Sequence, residues 1–365
     1  MAGTALLGCA TKTYSPLAPP APPTSVSTTA EAAPEIVVLG HEPAAVIGLD
    51  NVDMELPPAI STNARPATLP AITFGHGWIP LRAWSDRCTL GAPERIVAGG
   101  SISYRVLTRS GWCKLTVGSR LAQWNGTAVW LGFAPQIIRG EPHIHVLDAE
   151  KTLLPLVEAP RALSPARPSI VLDPGHGGAD GGTRGARNQL EKNYALDWAL
   201  RTERLLTNAG WKVFLTRRND IDLPLAERIA FADRVQADLF ISLHFNSTFP
   251  QTQPAGIETY CLTPSGMPST LARGFADDER AIFPNNAFDA ENQAWAFRIQ
   301  HALVAQTREH DDGVKRARFM GVLRYQHRPA ILVEGGFLSN ARDAANINSA
   351  AYRETLAQAI VSALK

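Results

Sequence analysis

Short apolar runs alternate with helical patterns along the second half of the 365-residue chain, and this alternation restricts the fold more than any other feature. The strand-like runs lie at 169–173, 211–216, 239–243, 256–262 and 330–334. The helical patterns cover 189–209, 223–236, 291–310 and 349–364, and the charged run EHDDG at 309–313 is interpreted as a solvated helix end. Strands that alternate with helices predict an α/β domain over 168–365, with a mostly parallel sheet covered by helices on both faces.

The first half of the chain has a different pattern. Residues 14–35 are rich in Pro, Ala and Thr, so 1–35 is interpreted as a leader and linker. Between 36 and 160, runs such as SISYRVLT at 101–108 alternate apolar and polar residues and are bounded by turn residues. They predict a small sheet-rich accessory domain of the β or α+β class.

Charge and hydropathy suggest neither a nucleic-acid partner nor a membrane-spanning helix. The formal net charge is only +1, which provides no general attraction for nucleic acid. No apolar stretch has the length of a transmembrane helix. Leu6-Leu7-Gly8-Cys9 resembles the lipobox of bacterial lipoproteins, so Cys9 is a candidate lipid anchor; a chance tetrapeptide is the alternative.

The remaining cysteines leave two alternatives open. Cys88 and Cys113 both fall in the first folded region and either form a disulfide or remain reduced core thiols. No CxxC pair occurs, so a thiolate zinc site is not supported.

Ionisable side chains stand where packing does not favour them. His176 follows the first strand within DPGHGG, His244 ends LFISLH, and Glu334 ends AILVE. All three therefore lie at the carboxyl ends of buried strands, where open α/β sheets place their ligands. Glu191 heads a helical stripe that is otherwise small or apolar, and a buried carboxylate is costly unless it is paired or bound to a metal.

Two histidines and one glutamate form a known catalytic zinc set that leaves one coordination position open to water. Zinc lowers the pKa of that water to about 7. Glu334 then remains to move the proton of the water to the leaving group. The alternative is structural: His176 and His244 stabilise a loop and a core, and Glu191 or Glu334 pairs with Arg217, Arg228 or Arg324.

Four segments carry a family resemblance. VLDPGHGGADGGTRG, LEKNYALDWALRTERLLTNAGWKVFLTRRND, ADLFISLHFNS and PAILVEGGFLSN resemble, in this order, the zinc-dependent N-acetylmuramoyl-L-alanine amidases of cell-wall remodelling. The resemblance runs from about 169 to 365. It implies one Zn²⁺ per chain held by His176, Glu191 and His244, with Glu334 as the catalytic glutamate.

Two further resemblances concern the rest of the chain. GWIPLRAW at 77–84 and the stretch 126–157 loosely resemble copper amine oxidase N-terminal-like modules, which implies a stalk or wall-binding role. The long connection 263–290 corresponds to a place where some amidases carry a helix that blocks the zinc. In this sequence a structural excursion is the favoured interpretation, with a lid as the alternative.

These features predict an enzyme of the cell envelope, periplasmic or secreted, that cuts the amide bond between N-acetylmuramic acid and L-alanine in peptidoglycan. Its expected partners are peptidoglycan and an activator protein or wall anchor. Two alternatives remain: a zinc peptidase that cuts another amide of the stem peptide, and a non-catalytic wall-binding or regulatory protein.

Overall fold

The computed structural model describes residues 77–158, 168–185, 188–271 and 277–365. All of them belong to one compact unit, Pro43–Lys365. The predicted leader and linker, and with them Cys9, lie outside the described residues.

The secondary-structure elements follow one another from Trp78 to Leu364. The strands are β1 (Trp78–Pro80), β2 (Glu94–Ala98), β3 (Ser101–Thr108), β4 (Gly111–Thr116), β5 (Leu121–Trp124), β6 (Thr127–Trp130), β7 (Gln136–Ile138), β8 (Glu141–His145), β9 (Ser169–Pro174), β10 (Lys212–Leu215), β11 (Leu239–Asn246), β12 (Ile257–Cys261), β13 (Asp311–Arg316) and β14 (Ala330–Phe337). The α-helices are α1 (Leu81–Arg87), α2 (Val146–Asp148), α3 (Leu154–Glu158), α4 (Glu191–Asn208), α5 (Leu225–Arg234), α6 (Asp289–Thr307), α7 (Gly321–Arg324), α8 (Ala341–Asn348) and α9 (Ala350–Leu364). A π-helical turn joins α2 to α3, and a 3-10 turn precedes α6.

Eleven of the described strands form one sheet, in the order β10-β9-β11-β14-β12-β13-β6-β5-β4-β3-β2. Neighbours among β10, β9, β11 and β14 are parallel, β12 is antiparallel to β14, and β13 is parallel to β12. The predicted α/β class with a mostly parallel sheet in the second half of the chain is confirmed.

Helices cover both faces of these parallel strands. On one face, Trp198 of α4, Ile299 of α6 and Leu356 of α9 pack against Leu243 and Ile331. On the other face, α5 and α7 cover a smaller cluster that contains Phe240, Tyr260 and Leu323. The alternation of side chains along each strand divides these two cores.

Residues 77–158 form an antiparallel meander, β2 to β6, with helices on one face. Trp84 of α1 and Trp124 of β5 are at most 2% exposed in its core. Cys88 and Cys113 lie in the same core as free thiols, which corresponds to the second of the two alternatives for this pair. The predicted boundaries of the accessory domain, 36–160, stay a prediction.

The meander joins the parallel strands through β13. Val129 of β6 pairs with Val314, the Ala128 N–H donates to Asp311 Oδ2 at 2.7 Å, and Trp130 Nε1 donates to the Asp312 carbonyl at 3.0 Å. The interpretation of 309–313 as a helix end is therefore wrong. The helix ends at Thr307, and Asp311 begins a strand that pairs with β12 on one side and with β6 on the other.

The described parts of the connection 263–290, which are 263–271 and 277–290, lie at the end of the sheet where β14 begins. Because β12 runs antiparallel to β14, the chain leaves β12 at that end, and Asn285 Nδ2 donates to the carbonyl of Arg328 at 2.7 Å. His244 and Glu334 lie toward the opposite, carboxyl ends of β11 and β14. Residues 277–283 are not helical, and 272–276 are outside the described ranges.

A buried ion pair fixes the end of β9. Arg228 of α5 donates to Asp173 Oδ1 at 2.7 Å and to the carbonyls of Pro174 and His176, each at 2.8 Å. Burial opposes ionisation of Asp173, but the charge of Arg228 and three hydrogen bonds outweigh it and lower the pKa of this carboxyl. One guanidinium thus contacts both the strand end and the following loop.

We expect Arg228→Met to lower the free energy of unfolding by about 3–5 kcal/mol, because it leaves a buried carboxylate without its cation. The matched control is Arg82→Met, which breaks an exposed pair with Asp86 and is expected to cost less than about 1 kcal/mol. Urea denaturation measures both variants. The lowered pKa of Asp173 stabilises the fold at pH values above the usual carboxyl pKa, and this contribution is lost as the pH falls through the lowered pKa. The difference in unfolding free energy between Arg228→Met and the parent must therefore shrink over that range, and a constant difference would contradict this account.

Candidate metal centre

The loop after β9 brings His176 to the carboxyl ends of the parallel strands. His176 has a φ of +60°, and the Gly175 N–H donates to the Leu243 carbonyl of β11 at 3.0 Å. A Cβ on Gly175 would lie 2.2 Å from Cε1 of His244. A glycine is therefore required for the loop to pass this closely over the second histidine.

Glu191 is the first residue of α4 and is only 2% exposed. The predicted buried stripe below it is confirmed at Ala195, Trp198, Ala199, Thr202 and Leu206. The Glu191 carboxylate accepts hydrogen bonds from the Phe245 N–H at 3.1 Å and from the Thr183 N–H at 2.9 Å. These backbone donors hold the carboxylate in one orientation.

Both histidines converge on Glu191. His244 Nδ1 lies 2.8 Å from Glu191 Oε1, and His176 Nε2 lies 3.1 Å from Oε2. The two imidazole rings are 4.9 Å apart between centroids, with planes at 81°. One ligand atom from each residue lies within 4.8 Å of the others, so the three side chains can share one ion.

The arginine partners suggested by the structural alternative are engaged elsewhere. Arg228 pairs with Asp173, Arg217 donates to the backbone carbonyls of Pro174, Gly175 and Lys192, and Arg324 donates to the Arg318 carbonyl. None of these contacts is with Glu191.

The donor set fits a divalent metal that binds nitrogen and oxygen. Two imidazole nitrogens and a carboxylate oxygen are a zinc-type set with one coordination position open. His176 Nδ1 is 2.7 Å from Asp180 Oδ2, and a carboxylate on one ring nitrogen directs the lone pair of the other toward a metal. The arrangement therefore has the outer carboxylate as well as the inner ligands.

The same contacts determine the charges of the site. Burial disfavours the imidazolium, but the charge of Glu191 and the hydrogen bonds to Asp180 and Glu191 raise the pKa of His176 to about 10. Burial also opposes ionisation of Glu191, yet the two histidines hold its pKa well below the usual range. Both shifts arise because the imidazoles lie at hydrogen-bond distance from the carboxylates of Glu191 and Asp180.

Glu334 lies on the neighbouring strand at the same level as His244. The two residues are Cα partners in the parallel pairing of β11 with β14, so their side chains emerge on the same face. Glu258 of β12 is the antiparallel partner of Glu334 and is 1% exposed, held by Asn246 and Lys315. The structure thus brings Glu334 beside the three-residue cluster.

Sequence reasoning missed the supporting residues Asp180, Lys192 and Asp220. Lys192 Nζ donates to Asp220 Oδ2 and to the Gly178 carbonyl, both at 2.7 Å, and so ties the glycine loop to α4. Asp180 had a usable signal, since a carboxylate four residues after a candidate ligand can reach its ring. The pair of Lys192 with Asp220 spans two separate segments and had none.

His143 and His145 lie outside the metal cluster. Both lie on β8, where His145 Nδ1 accepts from the Leu147 N–H at 3.3 Å and the ring packs against Phe133.

Comparison with known proteins places this cluster in context. The family model described as N-acetylmuramoyl-L-alanine amidase matches residues 170–365, more than half of the chain. The chain belongs to this amidase family. His176, Glu191, His244 and Glu334 all fall within the matched region.

Individual relatives carry the same family name. The chain is 31% identical over 242 residues to the amidase AmiC of Escherichia coli O6:H1, covering 60% of this chain and 58% of AmiC. It is 35% identical over 192 residues to the amidase LytC of Bacillus subtilis, covering 53% of this chain and 34% of LytC. The chain thus spans less than two thirds of the length of either curated relative.

Solved structures include the catalytic domain of the amidase CwlV from Bacillus (Paenibacillus) polymyxa var. colistinus. It is 28% identical and has a TM-score of 0.45, covering 54% of this chain and 95% of that one. Among the helices described for this amidase-family chain, none has the length and apolar character to cross a membrane.

We expect Gly175→Ala to weaken metal binding roughly 10–100-fold, the scale for disturbed support of a metal ligand, because the new methyl group displaces the His244 ring. Competition of the metal-loaded protein with a chelator measures the affinity. The control is Gly181→Ala in the same loop, whose Cβ would meet the flexible end of Leu190 at 3.3 Å. Equal affinities of both variants and the parent would show that His244 is not a ligand.

Proposed function

We propose that the chain is a zinc-dependent peptidoglycan amidase that hydrolyses the amide bond between N-acetylmuramic acid and the L-alanine of the stem peptide. The observation that carries the proposal is the convergence of His176 and His244 on the buried carboxylate of Glu191, beside Glu334, within the region matched by the amidase family. The proposed site of action is the cell envelope, in the periplasm or outside the cell. A lipid anchor at Cys9 remains part of the proposal.

His176, Glu191 and His244 would hold one zinc ion through Nε2, a carboxylate oxygen and Nδ1. Zinc would polarise the scissile carbonyl and acidify the attacking water. Asp180 keeps the His176 ring in the tautomer that offers Nε2. The Phe245 and Thr183 N–H groups restrain Glu191, so the ligand set is arranged before any ion arrives.

Glu334 is proposed as the group that moves the proton. Its carboxylate receives a proton from the attacking water and passes it to the nitrogen of the leaving L-alanine. The pairing of β14 with β11 sets it next to His244, on the same face of the sheet. Its position on a central strand, with partners on both sides, restricts its movement.

Product analysis tests the bond that is cut. We expect muropeptide mass spectrometry to detect free, intact stem peptides and unmodified glycan after digestion of peptidoglycan, because the proposed cut lies between lactyl group and peptide. A chelator should abolish the release, and added Zn²⁺ should restore it. Cleavage only between amino acids would favour a zinc peptidase of the stem peptide, and an absence of products would favour a wall-binding protein.

A substitution tests the role of Glu334. Glu334→Gln should lower kcat at least about 10²-fold, the usual scale for a positioned general acid or base, while about one zinc per chain is retained. His244→Ala should instead lose the zinc, as measured by elemental analysis. The control is Glu227→Gln, an exposed carboxylate on α5, for which parent activity is expected. Full activity of Glu334→Gln would remove this residue from the mechanism.

A further inference from the structure

One row of paired residues crosses the sheet from the metal site to the edge strand β2. Its members are direct partners on successive strands: His244, Glu334, Glu258, Gly313, Ala128, Gln123, Lys114, Arg105 and Glu94. The step between Gly313 and Ala128 follows from the pairing of Val314 with Val129, and a Cβ on Gly313 would lie 3.0 Å from that of Ala128. Because direct partners point to the same face, the row continues one face of the sheet.

This face differs from the opposite one in the meander. The opposite face of β3 to β6 buries Val106, Cys113 and Trp124 beneath α1, α2 and α3. On the face of the row, Leu107 is 56% and Leu121 39% exposed, and Arg105 and Gln123 are exposed as well. We call this face of β3 to β6 the outer meander face.

The outer meander face combines apolar and hydrogen-bonding groups. Trp112 is the cross-strand partner of Leu107, and Trp130 is that of Leu121; both tryptophans are partly exposed. Trp130 is held by the hydrogen bond from its Nε1 to the Asp312 carbonyl. Tryptophan offers a flat apolar surface with a polar edge, which suits sugar rings. Lys114 and Gln123, between the two tryptophans, can bind hydroxyl, acetamido and carboxylate groups.

We propose that the outer meander face binds the peptidoglycan strand on one side of the bond that is cut. The inference rests on the proposed function. The register of the strands supports this occupant: Lys114 lies in the same row as His244, six strand spacings or about 29 Å away along the sheet. The row is buried between them, at Glu258, Gly313 and Ala128, so the face is a second contact area on the same side of the sheet. A polymer held at the metal site can reach this surface, whereas a single sugar with its stem peptide cannot.

The charge of the face agrees with this occupant. Lys114 and Arg105 are cationic, and stem peptides carry carboxylates. Arg105 is paired with Glu94 on the solvent side, which leaves Lys114 as the cation nearest to the metal site along the row. The face is therefore expected to increase the affinity for polymer without touching the reacting atoms.

The test compares a polymeric with a minimal substrate. The variants are Lys114→Ala with Gln123→Ala, and separately Lys114→Glu, in the full chain; thermal unfolding checks their folding. The control is Lys212→Ala on β10, an exposed lysine on the opposite edge strand of the same sheet. The substrates are purified insoluble peptidoglycan and a soluble muropeptide of one disaccharide with one stem peptide.

We expect kcat/KM on insoluble peptidoglycan to fall about tenfold through KM in both variants, equivalent to ~1.4 kcal/mol of binding. The muropeptide and the control variant should show parent values. Equal losses on both substrates, or no loss on the polymer, would overturn the proposal.

Binding without cleavage separates this proposal from the proposed function. Co-sedimentation of the Glu334→Gln chain with insoluble peptidoglycan should weaken by the same factor when Lys114 and Gln123 are replaced. If binding depends on these residues but the parent releases no stem peptides, the amidase assignment fails and the surface stands. If the parent releases stem peptides and binding is independent of Lys114 and Gln123, the surface fails and the amidase assignment stands.

Lysine acetylation identifies the occupant. Lys114 should react in the free full chain and be protected by insoluble peptidoglycan. Protection already in the free chain, or concentration-dependent self-association lost in Lys114→Glu, would show that another part of the chain or a second copy covers the face, and would overturn the proposal.

Discussion

The buried carboxylate of Glu191 is the constraint to which the neighbouring elements are fitted. An ionised carboxylate at 2% exposure is costly unless charges and hydrogen bonds compensate it. Five groups do so here: two imidazoles, two backbone N–H groups and the Thr183 hydroxyl, which come from the loop after β9, from β11 and from the segment before α4. None of these segments can move without leaving the carboxylate uncompensated. The requirement of one side chain thereby joins three parts of the chain that are distant in sequence.

The loop that carries His176 is held mainly through its backbone carbonyls. Arg217 and Arg228 donate to the carbonyls of Pro174, Gly175 and His176, and Lys192 donates to that of Gly178. Desolvation lowers the pKa of Arg217 to about 10, so this guanidinium remains a cation at neutral pH despite its burial. Because these three cations bind backbone carbonyls, they restrict the movement of the loop without contacting the ring nitrogens of His176. Preorganisation of this kind lowers the entropy lost when an ion binds.

Much of this arrangement was readable in the sequence, because each candidate residue ended a strand or headed a helical stripe. The helical period of α4 predicted that Glu191, a charged residue, lies on the buried stripe, and the apolar runs before His244 and Glu334 indicated buried strands. The direction of β12 was not readable, since an apolar run has the same pattern in parallel and antiparallel pairing. The connection 263–290 was therefore expected beside the site, whereas its described parts lie at the other edge. Strand β13 was missed because its first residues are charged, and one of its two partners, β6, lies far earlier in the chain. Helix α8 also escaped notice, although Asn340 caps it by accepting from the Arg342 and Asp343 N–H groups.

The pairing of β6 with β13 has a consequence for how the chain can be divided. Strand β13 has β12 on one side and β6 of the meander on the other, where Val314 pairs with Val129, so its second side is covered only while residues 77–158 are present. Removal of the residues before 168 would turn β13 into an exposed edge strand with unpaired backbone amides. Exposed edge strands pair with strands of other molecules and favour aggregation. Residues 77–158 and the family-matched region are therefore difficult to separate. A shortened protein with only the family-matched region would need another strand beside β13, or a β13 with added charges or a kink, to remain monomeric.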